Sequence, residues 1–246
     1  MHPILFTIGP ITIYSYGVML AVAVLVCTYL LSLDAKKYNI SQDAAYDLVF
    51  WTMLGGILGG RIFYVIIEWS YYSQNLLEIP MIQKGGLAWQ GGFLGGLIAG
   101  IYFVRSKKLS LRPILDLAAP YLALGQSIGR IGCFLNGCCY GKPVAWGPYY
   151  PTHAARLYPT QLFETAGLFA IFLILKYAQT KPHQAGFVFV FYLWLAAIER
   201  FIVEFYRGDT IPAPGGLTLA QDVAFCVFIA GLIYYATVIR TQTKKV

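Results

Sequence analysis

The chain has 246 residues, of which 58% are hydrophobic and only 12% charged, with a mean hydropathy of +0.63. A soluble domain of this size carries roughly 25% charged residues, whereas here apolar runs of about 20 residues, each long enough to cross a bilayer, recur along the sequence. The net charge of +7 is clustered in short polar connections without any nucleic-acid-binding motif, so it reads as membrane topology and the chain is expected to bind no nucleic acid.

In chain order, the first 13 residues, MHPILFTIGPITI, lack a basic segment ahead of the apolar run. That run continues into a full span, so no cleavable signal peptide is expected. Apolar spans are predicted over residues 14–33, 46–67, 88–104, 113–133, 160–177, 185–204 and 217–238. Two longer connections separate them, an aromatic one over 69–86 and a mixed one over 134–158. Eleven of the 18 Lys and Arg fall in four places: Lys36 and Lys37; Arg105, Lys107, Lys108 and Arg112; Lys176 and Lys181; Arg240, Lys244 and Lys245. Each cluster occupies every second connection, the pattern of cytoplasmic loops. The expected fold is therefore an all-α polytopic membrane protein, a single integral membrane domain over 1–246. It has about seven transmembrane helices, an N-terminus outside, a cytoplasmic C-terminus, and the 69–86 and 134–158 connections on the outer face.

Glycine pairs interrupt the spans at 55–56, 59–60, 91–92 and 95–96. The small-xxx-small spacings 55/59 and 91/95 predict close helix packing. No internal repeat is evident, which counts against an inverted-repeat transporter.

Ionisable groups inside spans are costly and mark partners or wet cavities. Those within or at the ends of spans are Arg61, Glu68, Asp116, Arg130, Glu164, Glu199, Arg200, Glu204 and Arg207. On the seven-span scheme Arg130, Glu164, Arg200, Glu204 and Arg207 arrive at one depth, the outer leaflet, with Arg61 in the outer half of its span. In ERFIVEFYRGD, Arg200, Glu204 and Arg207 share one helical face. Two roles fit these residues: an ion-pair network that holds the bundle together, or a cationic pocket for an anionic lipid head group, for which the arginine fork is suited.

The run GRIGCFLNGCCYG (129–141) carries an arginine, an asparagine and three cysteines. It resembles the signature of the prolipoprotein diacylglyceryl transferases, G-R-x-G-N-F-x-N-x-E-x-x-G. The resemblance extends over nearly the whole chain through IGPITIYSYGVML, GGLAWQGGFLGG, LYPTQLFE, RFIVEFYRGD and LTLAQ, in that order. It implies an enzyme that transfers the diacylglyceryl group of phosphatidylglycerol to the lipobox cysteine of a preprolipoprotein signal peptide. The products are a thioether and glycerol 1-phosphate. It also implies a location in the bacterial cytoplasmic (inner) membrane and membrane lipid as surroundings. Matched position by position, it implies catalytic roles for Arg130, Arg200 and Glu204. By the same match, substrate-binding roles fall to Arg130, Asn136, Glu164 and Arg207, and to Gln90 at the position of the usual histidine; Arg61 joins them as a charge in the outer half of its span.

The chain departs from the family's usual pattern at three positions: Gln90 stands where a histidine is usual, Cys133 where the signature has asparagine, and Cys138 where it has glutamate. Glu204, Asp209 and His153 remain candidates for a base. The nucleophile comes from the substrate, so no catalytic Ser or Cys is required and no cofactor is expected. The spacing Cys133-x4-Cys138-Cys139 is unlike that of zinc sites, so no metal is expected. A disulfide among the three is an option in an oxidising exterior, and small packing residues beside Gly132 and Gly137 are the favoured role. Cys27 and Cys226 read as apolar filler inside spans. A membrane thiol oxidoreductase built on the cysteines, or a lipid transporter, are the alternatives.

Overall fold

A backbone in hydrocarbon satisfies its N–H and C=O groups only within its own segment, so each apolar run of this sequence closes into a helix. The structure is a computed structural model and describes residues 1–9, 11–212 and 215–239. The basic cluster Arg240, Lys244 and Lys245 lies outside the described residues. The chain opens with a hairpin of β1 (Ile4–Ile8) and β2 (Ile11–Tyr14), followed by α1 (Ser15–Ala35) and α2 (Gln42–Ile67). A single turn α3 (Trp69–Tyr72) starts the first long connection, and α4 (Trp89–Ser106) and α5 (Leu111–Asn136) follow. The second long connection contains the two-residue strands β3 (Tyr149–Tyr150) and β4 (Ala155–Arg156). Helices α6 (Thr160–Ala178), α7 (Phe187–Glu204) and α8 (Leu219–Tyr234) complete the chain.

Seven helices of 16 residues or more thus stand where seven apolar spans are predicted, among the described residues. The two small hairpins are additions to the all-α expectation. Four segments are long and apolar enough to cross a membrane: Ser15–Tyr38, Gln42–Ile67, Thr160–Ala178 and Leu219–Thr237. The other three long helices are less apolar for visible reasons. Helix α4 is rich in glycine, α5 contains Arg112, Asp116 and Arg130, and α7 contains Glu199, Arg200 and Glu204.

Packing divides the chain into two compact units, residues 32–114 and residues 1–31 with 115–246. In the first unit, Ser41 caps α2 by accepting from the Ala44 N–H at 3.1 Å. Helices α2 and α4 pack backbone to backbone along their glycines. A Cβ at Gly59 would strike the Gly91 carbonyl oxygen and lie 2.8 Å from Gly95 Cα, and one at Gly55 would lie 2.7 Å from the Gly95 carbonyl oxygen. The predicted small-residue seam is therefore the α2–α4 contact itself. Arg61 of α2 is 5% exposed and clamps the connection that follows. It donates to the carbonyls of Ile79 (2.7 Å), Gly85 (2.6 Å), Gly86 (3.0 Å) and Glu78 (2.7 Å), with Tyr72 against its guanidinium.

In the second unit, Ala119 and Ala123 of α5, Leu168, Ile171 and Leu175 of α6, and Val188 and Tyr192 of α7 form a buried apolar cluster. Asp116, near the start of α5, caps α7 from outside: its carboxylate accepts from the Gly186 N–H at 2.6 Å and the Phe189 N–H at 2.9 Å. A carboxylate at a helix N-terminus meets both unpaired donors and the positive end of the helix dipole. Helix α8 begins with a capping box between Thr218 and Gln221.

The glycine seam makes a direct prediction. Gly59→Ala forces a methyl group into backbone rather than into a flexible side chain, and overpacking of this kind costs about 1–3 kcal/mol. Gly17→Ala, where nothing lies within 4 Å of the added Cβ, serves as the control. The thermal midpoint in detergent is expected to fall for Gly59→Ala and to hold or rise for Gly17→Ala.

Candidate active site

The last turn of α5, the first turns of α6 and the last turns of α7 each deliver charge to one place in the second unit. At its centre is Glu164, whose side chain is 1% exposed. Arg130 Nε lies 2.9 Å from Glu164 Oε2, and Arg200 donates to Glu164 Oε1 at 2.8 Å. Arg200 also reaches Glu204 Oε2 at 2.6 Å. Arg207 stands 3.8 Å from Glu164 and 3.9 Å from Glu204, and binds Asp209 through two donors at 2.9 and 2.6 Å. Burial opposes the charge of Arg207, and the paired Asp209 carboxylate more than offsets it, so its pKa lies above the ordinary arginine value.

Three arginines face three carboxylates, and the arrangement is layered. The Glu164 and Glu204 side chains are almost fully buried, while those of Arg130 and Arg200 are 26% and 27% exposed. The guanidinium groups therefore stand between the carboxylates and the open side. Several of the close contacts are Coulombic without hydrogen-bond alignment. Among the described residues, Glu164 Oε2, both oxygens of Glu204 and Glu199 Oε1 are buried and accept no hydrogen bond. Leaving a buried charged acceptor unsatisfied costs about 1–3 kcal/mol or more. Glu164 Oε2 and Glu204 Oε2 meet Arg130 and Arg200 as ion pairs, at 2.9 and 2.6 Å, with acceptor capacity left over.

The loop after α5 is fastened to this cluster by the residues of LYPTQ. Thr160 donates to the Cys139 carbonyl at 2.8 Å, Gln161 to the Cys138 carbonyl at 2.6 Å, and Tyr150 to Gln161 at 2.8 Å. Gly141 then pairs with Arg207 in an isolated bridge, with the Lys142 N–H donating to the Tyr206 carbonyl at 2.8 Å and the Gly208 N–H to the Tyr140 carbonyl at 3.0 Å. The signature loop thus sets the backbone position of Arg207.

Cys133 of α5 and Cys138 and Cys139 of the following loop are free thiols, and their Sγ atoms lie within 4.8 Å of one another. The sequence spacing hides this convergence. The neighbouring Cys133 and Cys138 thiols, with Arg207 also nearby, hold the Cys139 pKa below its ordinary value against the opposing effect of burial. Asn136 ends α5 and is exposed, with its side chain against Cys138. His153 is exposed and packs against Tyr140, with ring centroids 3.8 Å apart and the planes tilted by 43°.

Of the residues named from the sequence, Arg130, Glu164, Arg200, Glu204 and Arg207 come together, and Asn136 lies at the end of the same helix as Arg130. Arg61 and Gln90 belong to the other unit, where Arg61 spends its donors on loop carbonyls and Gln90 is exposed in the first turn of α4. Asp209, a candidate base from the sequence, instead pairs with Arg207; Glu199 and the Tyr150–Gln161–Thr160 fastening were not assigned to the site from the sequence. Glu199 was visible as a carboxylate in a span, but its alignment beside Gly167 of α6, whose added Cβ would lie 3.0 Å from Glu199 Cγ, is a product of packing.

Gly141→Ala should unseat Arg207, because the added Cβ would lie 2.7 Å from the Tyr158 carbonyl oxygen and 2.8 Å from that of Tyr206. A drop in thermal midpoint equivalent to about 1–3 kcal/mol is expected. Gly129→Ala, with nothing within 4 Å of the added Cβ, is expected to cost nothing in the same measurement.

Comparison with known proteins identifies the family. Residues 3–237 match the family described as prolipoprotein diacylglyceryl transferase. The phosphatidylglycerol–prolipoprotein diacylglyceryl transferase of Finegoldia magna is 35% identical over 249 residues, covering 99% of this chain and 100% of that protein. That of Clostridium tetani is 32% identical over 246 residues, covering 96% and 97%. That of Staphylococcus xylosus is 33% identical over 245 residues, covering 95% and 88%. The chain belongs to the prolipoprotein diacylglyceryl transferase family.

Proposed function

We propose that this chain transfers the diacylglyceryl group of phosphatidylglycerol to the thiol of a lipobox cysteine in a preprolipoprotein signal peptide. The observation that carries this reading is the arginine layer of Arg130 and Arg200 over buried carboxylates with unfilled acceptor capacity. In the reaction a C–S bond forms at a glycerol carbon while the C–O bond to phosphate breaks, and glycerol 1-phosphate departs with the electron pair. Such a displacement needs in-line positioning and stabilisation of charge on the leaving oxygen. Arg130 and Arg200 are the partly exposed guanidiniums and take the phosphate; Arg207, bound to Asp209, supports the field behind them.

The thiol proton needs an acceptor. Gln90 is no base, Asp209 is engaged by Arg207, and His153 is exposed and packed against Tyr140. The carboxylates that accept no hydrogen bond, Glu204 first among them, are the acceptors this cluster supplies. Asn136 and Glu164 complete the lipid head-group site; Gln90 and Arg61 belong to the other unit, where Arg61 is held by loop carbonyls, and they are left out of this reading.

The reading further includes seven transmembrane helices, with α4, α5 and α7 spanning in addition to the four most apolar segments. The N-terminus is outside, the C-terminus cytoplasmic, and the site lies in the outer leaflet of the bacterial cytoplasmic membrane. Charge distribution supports this: Lys36 and Lys37, the Arg105–Arg112 group, and Lys176 and Lys181 flank alternate helix ends. Helices α1 and α5 each have residues in both units, which supports one membrane domain over 1–246.

Purified protein incubated with phosphatidylglycerol and a lipobox peptide should yield a peptide bearing thioether-linked diacylglycerol. Arg130→Lys and Arg200→Lys keep the charge but lose the two-pronged donor. Each should remain folded and membrane-inserted while turnover falls on the order of 10²–10³-fold. Near-normal turnover in both variants would sink the phosphate-binding role.

For topology, single cysteines in place of Lys107 and Tyr149 are to be probed in intact cells with a membrane-impermeant thiol reagent. Tyr149→Cys should label and Lys107→Cys should not. Outside labelling at position 107 overturns the arrangement.

A further inference from the structure

We propose that Cys133, Cys138 and Cys139 form a three-thiolate site for a soft d10 cation of the Zn2+ or Cd2+ class. The end of α5 builds it. Gly137, at φ +79°, terminates the helix, and the N–H groups of Gly137 and Cys138 both donate to the Cys133 carbonyl at 2.9 and 3.2 Å. This six-to-one closure stacks the second residue past a helix onto the third-last residue within it, which here sets Cys138 against Cys133. Cys139 then takes a left-handed φ of +61°. Adjacent side chains in extended or helical backbone diverge, and this reversal is what returns the third sulfur to the first two.

A non-glycine residue in that region is strained by on the order of 1 kcal/mol and persists only where its surroundings over-determine it. Here the Thr160 and Gln161 side chains hold the carbonyls of Cys139 and Cys138. The three Sγ atoms lie within 4.8 Å of one another. Thiolates about 2.3 Å from one tetrahedral or trigonal zinc stand about 3.8–4.0 Å apart. The site is therefore within about 1 Å of coordination geometry, a distance that side-chain rotation covers.

The chemistry of the donors selects the ligand. Three sulfurs without a carboxylate favour a soft cation over Mg2+ or Ca2+. Binding follows M2+ + 3 RSH → M(SR)3⁻ + 3 H+, which leaves one net negative charge. The Arg207 guanidinium acts electrostatically on Cys139, and Arg130 lies one turn before Cys133 on the same helix. The compensating positive charge that a partly buried anionic centre needs is thus already present. Cys133 is buried while Cys138 and Cys139 are half-buried, which leaves a side for entry. A packing role explains small side chains here, but not three sulfurs turned toward one point at the expense of a left-handed backbone.

The test uses the full chain in detergent, reduced and metal-free, titrated with Cd2+ under nitrogen. A sulfur-to-cadmium charge-transfer absorption is expected to saturate at one ion per chain, with proton release. Cys133→Ala and Cys139→Ala should each weaken binding on the order of 100-fold, and the Cys27→Ala/Cys226→Ala double variant should bind as the natural sequence does. Folding of each variant is checked by elution profile and thermal midpoint. If Cys133→Ala fails that check, Cys138→Ser takes its place with the same expectation. Absence of a saturable band overturns the proposal. So does a band that survives loss of a cluster thiol in a folded variant, or one that disappears with Cys27 and Cys226.

Discussion

Everything in the second unit answers to one constraint, the burial of the Glu164 carboxylate. An ionised side chain at 1% exposure is unaffordable alone, and removing the partner of a buried charge typically costs about 3–5 kcal/mol. Glu164 therefore requires arginines from neighbouring elements, and Arg130 and Arg200 come from α5 and α7. The same two helices are tied a second time at their far end, where Asp116 of α5 caps α7. From Asp116 to Arg130 is 14 residues of helix, about 21 Å at 1.5 Å per residue. Two polar fastenings that far apart, with the apolar cluster of Ala119, Ala123 and Tyr192 between them, leave α5 and α7 little freedom to slide or rotate. Lipid offers no hydrophobic drive for helices to associate, so such fixed polar contacts carry much of the specificity of packing.

The other unit reaches the same end without charge in its seam. Helices α2 and α4 meet through glycine backbones, and Arg61 (5% exposed), a buried cation of this unit, is turned onto the carbonyls of Glu78, Ile79, Gly85 and Gly86. Those carbonyls belong to an irregular connection that has few partners of its own. One guanidinium supplies four hydrogen bonds to it, which explains why an arginine near a helix end need not be a ligand group.

How much of this was legible in the sequence follows the range of the interactions involved. Helix positions were readable because they depend on runs of apolar residues; α6 begins at Thr160 and α7 ends at Glu204, as predicted. The glycine seam was readable because its spacing is a property of one helix face. The gathering of Arg130, Glu164, Arg200, Glu204 and Arg207 was readable from their shared depth and from the family resemblance. The hairpin at Ile4–Tyr14 was not, since its apolar residues are largely exposed and show no buried face to pattern on. Nor was the thiol convergence, because it depends on a positive φ at Gly137 and Cys139 and on side chains from α6 that lie more than 20 residues onward. The separate roles of Arg61 and Arg130, both arginines within spans, were indistinguishable until their partners were known.

The charge balance of the cluster gives the last step. Arg130, Arg200 and Arg207 are matched by Glu164, Glu204 and Asp209, so the site at rest is close to neutral rather than a bare cationic pocket, and Glu199 adds a further carboxylate. A phosphate that gains charge as it leaves must then compete with these carboxylates for the same guanidiniums. On the proposed reaction, the proton lost by the attacking thiol resolves that competition. Placed on a carboxylate such as Glu204, it cancels one negative charge and releases Arg200 toward the leaving group. Proton acceptance and leaving-group stabilisation become one event, because both are settled on the Arg200–Glu204 pair at 2.6 Å. Lysine at position 200 could keep the charge, but not face Glu164, Glu204 and a phosphate in turn, since that depends on the several directed donors of a planar guanidinium.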